Sequence, residues 1–342
     1  QFISIDTPFF QDGQSFNAKM LSDSEYVGLV NAGGSLDNLI RLIEQKTNLY
    51  REVQEEVTYA LPKIGEYPKP VDQGAGQYRA IGRTVALAKL GELAAEIAQR
   101  INIMSNATAE EMPRLKKLFR DEGADAQFSP QVVIVSGLSG GSGSGQFLDV
   151  SEVVKSVRKD DQWAYDQSAI LYAPDIFTAD QQIVHAHGLA PNSMSALGEL
   201  INAKHSKARS ASLQTVYKQL ALSEANHAIN NVGPKHLYLI GASNGGDSVF
   251  LNQNEAFQAV GSALAKWATD PRISEDISQY ITNNIEEDSA PINSLGFSRV
   301  SLGMELFTQY SAGRLARFVV EKMLTKHKDF ALSSERVPDS VI

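Results

Sequence analysis

The apolar pattern along the chain changes most sharply at Val132-Val133-Ile134-Val135. This run of β-formers gives way at once to Ser136-Gly137-Leu138-Ser139-Gly140-Gly141-Ser142-Gly143-Ser144-Gly145. The apolar run predicts a buried strand, and the glycine-serine stretch a loop. Phe147, Val150, Val154 and Val157 then recur at helical spacing, so the segment reads strand, glycine loop, helix. Further strands are predicted at residues 2–7, 169–172 and 236–240. Helices are predicted at 36–56, at 78–104 with Leu87, Leu90, Ala94, Ile97, Ile101 and Met104 on one face, and as a polar helix at 105–120. Two more follow at 192–201 and 210–228. A stripe of Phe257, Val260, Leu264 and Trp267 marks another, and Leu306, Tyr310, Gly313, Ala316, Val320 and Met323 mark a last long one. Phe257, Trp267 and Tyr310 are expected in the core. Residues 9–20 read as a polar loop, and the prolines between 62 and 70 break the chain. Strands alternating with helices predict an α/β fold whose mainly parallel sheet is covered by helices on both faces. No internal boundary stands out, so residues 1–342 are read as one domain.

Composition narrows the function more than the fold. Apolar residues make up 43% of the 342, enough for a substantial core. The 40 acidic and 31 basic residues give a formal charge of -9 with no basic run, which argues against nucleic acid as a partner. The absence of cysteine excludes disulfides, thiolate zinc sites and a cysteine nucleophile, and it suits a reducing, cytoplasmic setting. No apolar run is long enough to span a membrane.

Glycines let the backbone approach a ligand closely, and a helix N-terminus adds partial positive charge. The loop therefore predicts an anion site, with nucleotide phosphates the leading ligand. It is not a P-loop, since no G-x-x-x-x-G-K-[ST] occurs, and a dinucleotide fingerprint read from Gly143 fails at Leu148. Gly137-Leu138-Ser139-Gly140-Gly141 and Gly241-Ala242-Ser243-Asn244-Gly245 each satisfy the serine-hydrolase elbow pattern. A hydrolase using Ser139 or Ser243 with a later histidine such as His327 is thus an alternative, although it leaves Ser142 to Gly145 unexplained. His185 and His187, with Asp175 and Asp180 nearby, form a conceivable metal group, though isolated pairs of this kind are usually surface residues.

The whole run Gly140-Gly141-Ser142-Gly143-Ser144-Gly145 resembles the nucleotide loop of the tubulin/FtsZ superfamily, approximately G-G-T-G-S-G after a strand, with Ser142 keeping the hydroxyl of the Thr. Gly74-Ala75-Gly76-Gln77, followed by Gly82-Arg83, resembles the loop that covers the γ-phosphate there. Ser136 through Asp149 looks most like the large bacterial tubulin-like proteins, as do Phe297-Ser298 and the helix after them. The resemblance implies a Rossmann-like, tubulin/FtsZ-type domain that binds GTP or GDP. Its phosphates would lie on Ser139 to Gly145 and under Gly74 to Gln77, and its ribose near Pro174 and Asp175. Asp6, at the end of the opening strand, would orient a Mg²⁺-bound water; a plain turn residue is its other reading. Asn192 would pair with the purine edge, or would simply be a helix N-cap.

In that superfamily an acidic loop from the next subunit completes hydrolysis, so the resemblance also implies self-association into cytoskeletal filaments. Asn283-Asn284-Ile285-Glu286-Glu287-Asp288 comes nearest to such a loop, with a solvated acidic loop as its other reading. No catalytic residue is identified. The superfamily begins with a strand and a glycine-rich loop that are not found here. The first strand is therefore expected to be missing, and the chain opens inside the second. A non-catalytic tubulin-like scaffold is the remaining alternative.

Overall fold

The computed structural model describes residues 2–11, 21–22, 24–47, 61–65, 70–118, 130–178, 188–222, 232–243, 250–270, 272–273, 276–277, 292–294 and 304–334. The chain divides into two compact units, Gln1–Gly296 and Phe297–Ile342.

The first unit opens with β1 (Ser4–Pro8), which pairs in parallel with β2 (Tyr26–Val30), Ser4 opposite Tyr26 and Pro8 opposite Val30. A second sheet runs β3 (Val133–Gly137), β4 (Ser168–Tyr172), β5 (His236–Ile240) and β6 (Ile292–Ser294), every neighbouring pair parallel. Parallel neighbours need crossovers, and helices fill those of the second sheet as well as the stretch between β2 and β3. They are α1 (Leu36–Thr47), α2 (Arg79–Ala88), α3 (Leu90–Leu118), α4 (Gly141–Val157), α5 (Pro174–Thr178), α6 (Leu189–His205), α7 (Lys207–Leu220) and α8 (Gln253–Thr269).

Alternate residues of the strands serve opposite faces. Ala169, Leu171 and Leu237 pack with Phe147 and Leu148 of α4 and with Ala196 and Leu200 of α6. On the other face Tyr172 meets Phe257 of α8 edge to face at 5.0 Å. A larger core joins β2, α1, α2, α3 and α7 around Ile43, Val85, Leu90, Leu93 and Leu220. This is the expected α/β, Rossmann-like arrangement, with a parallel sheet flanked by helices.

Several details differ from the sequence reading. The helix expected at 78–104 breaks at Lys89, whose N–H bonds to the Val85 carbonyl at 3.0 Å, and the chain restarts as α3, which absorbs the separate helix expected at 105–120. α1 ends at Thr47; residues 48–56 lie outside the described ones. α6 is longer than 192–201, and β2 was not foreseen. β3 is not the buried strand its composition predicts, since Val135 is 45% exposed. β4 covers one edge of β3, whereas its other edge and the free edge of β1 flank a cavity of about 260 Å³. Ile3 and Ile5, Ile97 and Ile101 of α3, and Phe147 line it with β3 itself. Among the described residues no strand pairs with either edge.

Trp267 is buried as expected, but Phe257 is 39% exposed at the rim of its stripe. The second unit holds α9 (Met304–Ser334), where Tyr310 is 63% exposed rather than in a core. Taken by itself, a lone helix has no second layer in which to bury an apolar face.

Candidate functional site

β3 ends at Gly137, Leu138 N–H reaches the Tyr172 carbonyl at 3.1 Å, and α4 begins at Gly141. The N-cap is Gly140, in extended conformation and without a side chain to close the helix end. An α-helix leaves its first N–H groups without intrahelical partners, and the residues usually placed to satisfy them are Ser, Thr, Asp or Asn. Here Gly140 leaves that surface open: a Cβ on it would meet nothing within 4 Å.

The loop ahead of α2 covers one flank of this turn. Gly76 O accepts from Gly141 N–H at 2.7 Å, and Gly74 and Gly76 have φ of +107° and +55°, backbone that suits glycine. The two helices meet almost backbone to backbone. A Cβ on Gly82 would collide with the Gly141 carbonyl, one on Gly145 would lie 2.6 Å from the Arg79 carbonyl, and one on Gly141 would lie 2.8 Å from Ala75 Cβ.

β1 supplies the third side. Thr7 Oγ1 and Ser142 Oγ share a hydrogen bond at 2.9 Å, and Gln146 Nε2 donates to Thr7 Oγ1 at 3.3 Å. Asp6 Oδ1 accepts from Thr7 N–H at 2.7 Å. Ser144 Oγ turns back onto the Gly140 carbonyl.

Asn192 is not an N-cap; α6 starts at Leu189 with Gly188 as its cap. The Asn192 side-chain amide donates instead to the carbonyls of Gln77 (2.6 Å) and Ser139 (2.9 Å), drawing two glycine loops to one helix. Gln77 Oε1 accepts from Gly188 N–H at 3.2 Å. Pro174 opens α5, and Asp175 accepts from Ile176 N–H (3.1 Å) and Ala242 N–H (2.8 Å), fastening the ends of β4 and β5 together. Thus the structure gathers Asp6, Gly74–Gln77, Ser139–Gly145 and Asn192 around the start of α4, with Pro174 and Asp175 at the end of the adjacent strand.

Behind the turn lies a charged cluster that sequence reasoning missed. Arg79 donates its Nε to the Ser144 carbonyl at 3.0 Å and its two terminal nitrogens to Glu199 of α6. Arg83 lies 3.3 Å from Asp149 and 3.5 Å from Glu199, and Tyr217 OH donates to Asp149 at 2.9 Å. Burial pushes the Asp149 carboxyl up to about 6, against the opposing pull of Arg83 and Tyr217. Burial works against ionised Glu199 as well, yet Arg79 and Arg83 hold it below the usual carboxylate range. One signal in the sequence points to the cluster: Arg83 is the single charged residue in the largely apolar stretch Ala80–Ala88.

The hydrolase geometry is not present at Ser139. Its side chain is 0% exposed, its Oγ faces Ser193 Oγ at 3.0 Å, and Ala221 is the sole non-glycine with positive φ among the described residues. A nucleophile elbow needs an exposed hydroxyl on a strained turn beside a base. Ser243 is described, but Asn244 to Asp247 lie outside the described residues, as do His185, His187, Asp180 and the acidic stretch 283–288. Among the described residues no three His, Cys, Asp or Glu side chains form a metal-holding group, and no helix is long and apolar enough to cross a membrane.

Fold and site together define a Rossmann-like α/β protein with an uncapped glycine turn at the carboxyl ends of its parallel strands. A family model described as tubulin-like matches residues 1–321, and the chain belongs to that family. Comparison with curated proteins and with solved structures returned no match.

Proposed function

We propose that the protein binds a guanine nucleotide, GTP or GDP, with its phosphates on the first turn of α4. The observation that carries this reading is the open N-terminus of α4. Its cap is a glycine with free space around it and no side-chain cap bond; Gly141 N–H is taken by the Gly76 carbonyl of the covering loop, and Thr7 closes another flank. Membership of the tubulin-like family supports a nucleotide as the anion.

The donors fit such a ligand. The Gly140 amide and those that follow Gly141 in the first turn, the dipole of a 17-residue helix and one hydroxyl of the Ser142–Thr7 pair would present positive ends to a phosphate chain. Gly74, Ala75 and Gly76 lie over the position of a terminal phosphate, and Pro174 and Asp175 border the ribose side. Mg²⁺ would arrive on the phosphates, with Asp6 as the protein carboxylate at hand and water filling its other positions.

Assembly follows from the same reading. The protein self-associates, and where it hydrolyses GTP, a neighbouring copy supplies the group that completes the reaction. The decisive measurement is titration with a fluorescent guanine nucleotide, competed by GTP, GDP and ATP. Saturable binding displaced by GTP and GDP is the expected result, and no binding of any nucleotide overturns the proposal. Phosphate release per protomer that rises with protein concentration identifies an assembly-coupled GTPase; binding without release identifies a scaffold.

A further inference from the structure

We propose that α6 acts as a strut setting the spacing and orientation of the two glycine loops, with Asn192 and Glu199 as its positioning residues; the ligand role of this strut rests on the nucleotide reading above. Asn192 holds the Gln77 carbonyl, directly after Gly74-Ala75-Gly76, and the Ser139 carbonyl, directly before the turn of α4. Seven residues on, two helical turns along the same face, Glu199 takes both terminal nitrogens of Arg79, whose Nε holds the Ser144 carbonyl at 3.0 Å. The strut therefore grips carbonyls on both sides of the glycine turn.

Peptide geometry turns that grip into aim. A trans peptide unit is planar, with its N–H directed opposite its C=O. Holding the Ser139 carbonyl toward Asn192 directs the Gly140 N–H to the opposite side, away from α6. The Gln77 carbonyl is fixed by the same amide group, so the covering loop cannot drift from the turn without losing that bond. Asn supplies what the task needs, two N–H donors on one nitrogen, and Asp at this position has none. Ser193 adds to the grip: its Oγ bonds Ser139 Oγ at 3.0 Å and the Leu189 carbonyl at 3.0 Å.

The test uses Asn192→Ala, Asn192→Asp and Glu199→Gln beside the unaltered chain, with two readouts. Without ligand, hydrogen exchange in peptides covering 72–80 and 136–146 accelerates together in all three variants if α6 pins both loops. Unchanged exchange in both segments, or a change in one alone, overturns the strut whatever the protein binds. With GDP, Asn192→Ala weakens affinity by about 10- to 100-fold, and the Gly140 amide resonance loses its ligand-induced shift. Glu199→Gln, which keeps the shape and loses the charge, falls between Asn192→Ala and the unaltered chain. Equal GDP affinity and an unchanged Gly140 shift in Asn192→Ala remove the positioning role. An unaltered chain that binds no nucleotide overturns the nucleotide reading and the ligand role with it, and the exchange readout still decides the strut.

Discussion

The two ends of the parallel strands treat their polar groups in opposite ways. At the amino ends, buried side chains satisfy one another. Lys155 Nζ donates to Glu152 (2.8 Å) and to the Gly233 carbonyl (2.7 Å), and the same Glu152 oxygen accepts from Gly233 N–H at 2.9 Å. Gln167 uses both ends of its amide, on Ser151 and on the Ala164 carbonyl, and its main-chain carbonyl takes the N–H groups of Lys235 and His236. At the carboxyl ends, α4 presents its first turn behind a glycine and leaves the cap without a side chain. A closed network specifies a fold, whereas an open one leaves something for a ligand to complete. The contrast sets an end closed by side chains against an end whose helix cap carries none.

The largest effect should come from breaking the closed end. Lys155→Met leaves Glu152 buried without its cation and should cost about 3–5 kcal/mol in urea unfolding. Replacing both partners by apolar residues should recover most of that loss. Gly82→Ala attacks the open end from behind. Its Cβ meets the Gly141 backbone, so α2 and α4 must part, at about 1–3 kcal/mol of stability by the same assay and with weaker nucleotide binding.

A pH series sharpens the comparison further. Burial, with Lys235 adding to it, pushes His236 down to about 4, so the folded chain keeps it neutral. Between about 4 and 6.5 the unfolded chain binds the extra proton. This contribution to stability is therefore complete above that window and is lost as the pH falls through it. The melting temperature of His236→Gln should fall less steeply across the window than that of the unaltered chain. The smallest stability effect belongs to Gly140→Ala, within about 0.5 kcal/mol because its Cβ meets nothing, yet under the nucleotide proposal that methyl intrudes on the space left for a phosphate. Unchanged GDP affinity in this variant would count against phosphate binding at the turn.

What could be read from the sequence was what local pattern dictates. The alternation from apolar run to glycine to amphipathic helix at 132–157 specified β3, the turn and α4, and 236–240 specified β5, because each is a local change of period. β2 escaped because Gly28 interrupts a run of five, and that glycine is required by contact with Pro8 and Phe9, which lie far off in sequence. The break at Lys89 carries no proline or cap signal. It comes from packing, with Leu87, Ala88 and Leu90 all buried across it. Most of the loop residues were legible from their glycines. Arg79, Glu199 and Asn192 in its new role were not, since a bond between positions more than 100 residues apart leaves no periodic trace.

The contact between α2 and α4 has a mechanical consequence. Where Gly82 and Gly145 bring two main chains together without intervening side chains, there is no compressible layer to absorb a displacement. Each loop is the leading tip of one of these helices, so neither helix can advance on the other without a backbone clash.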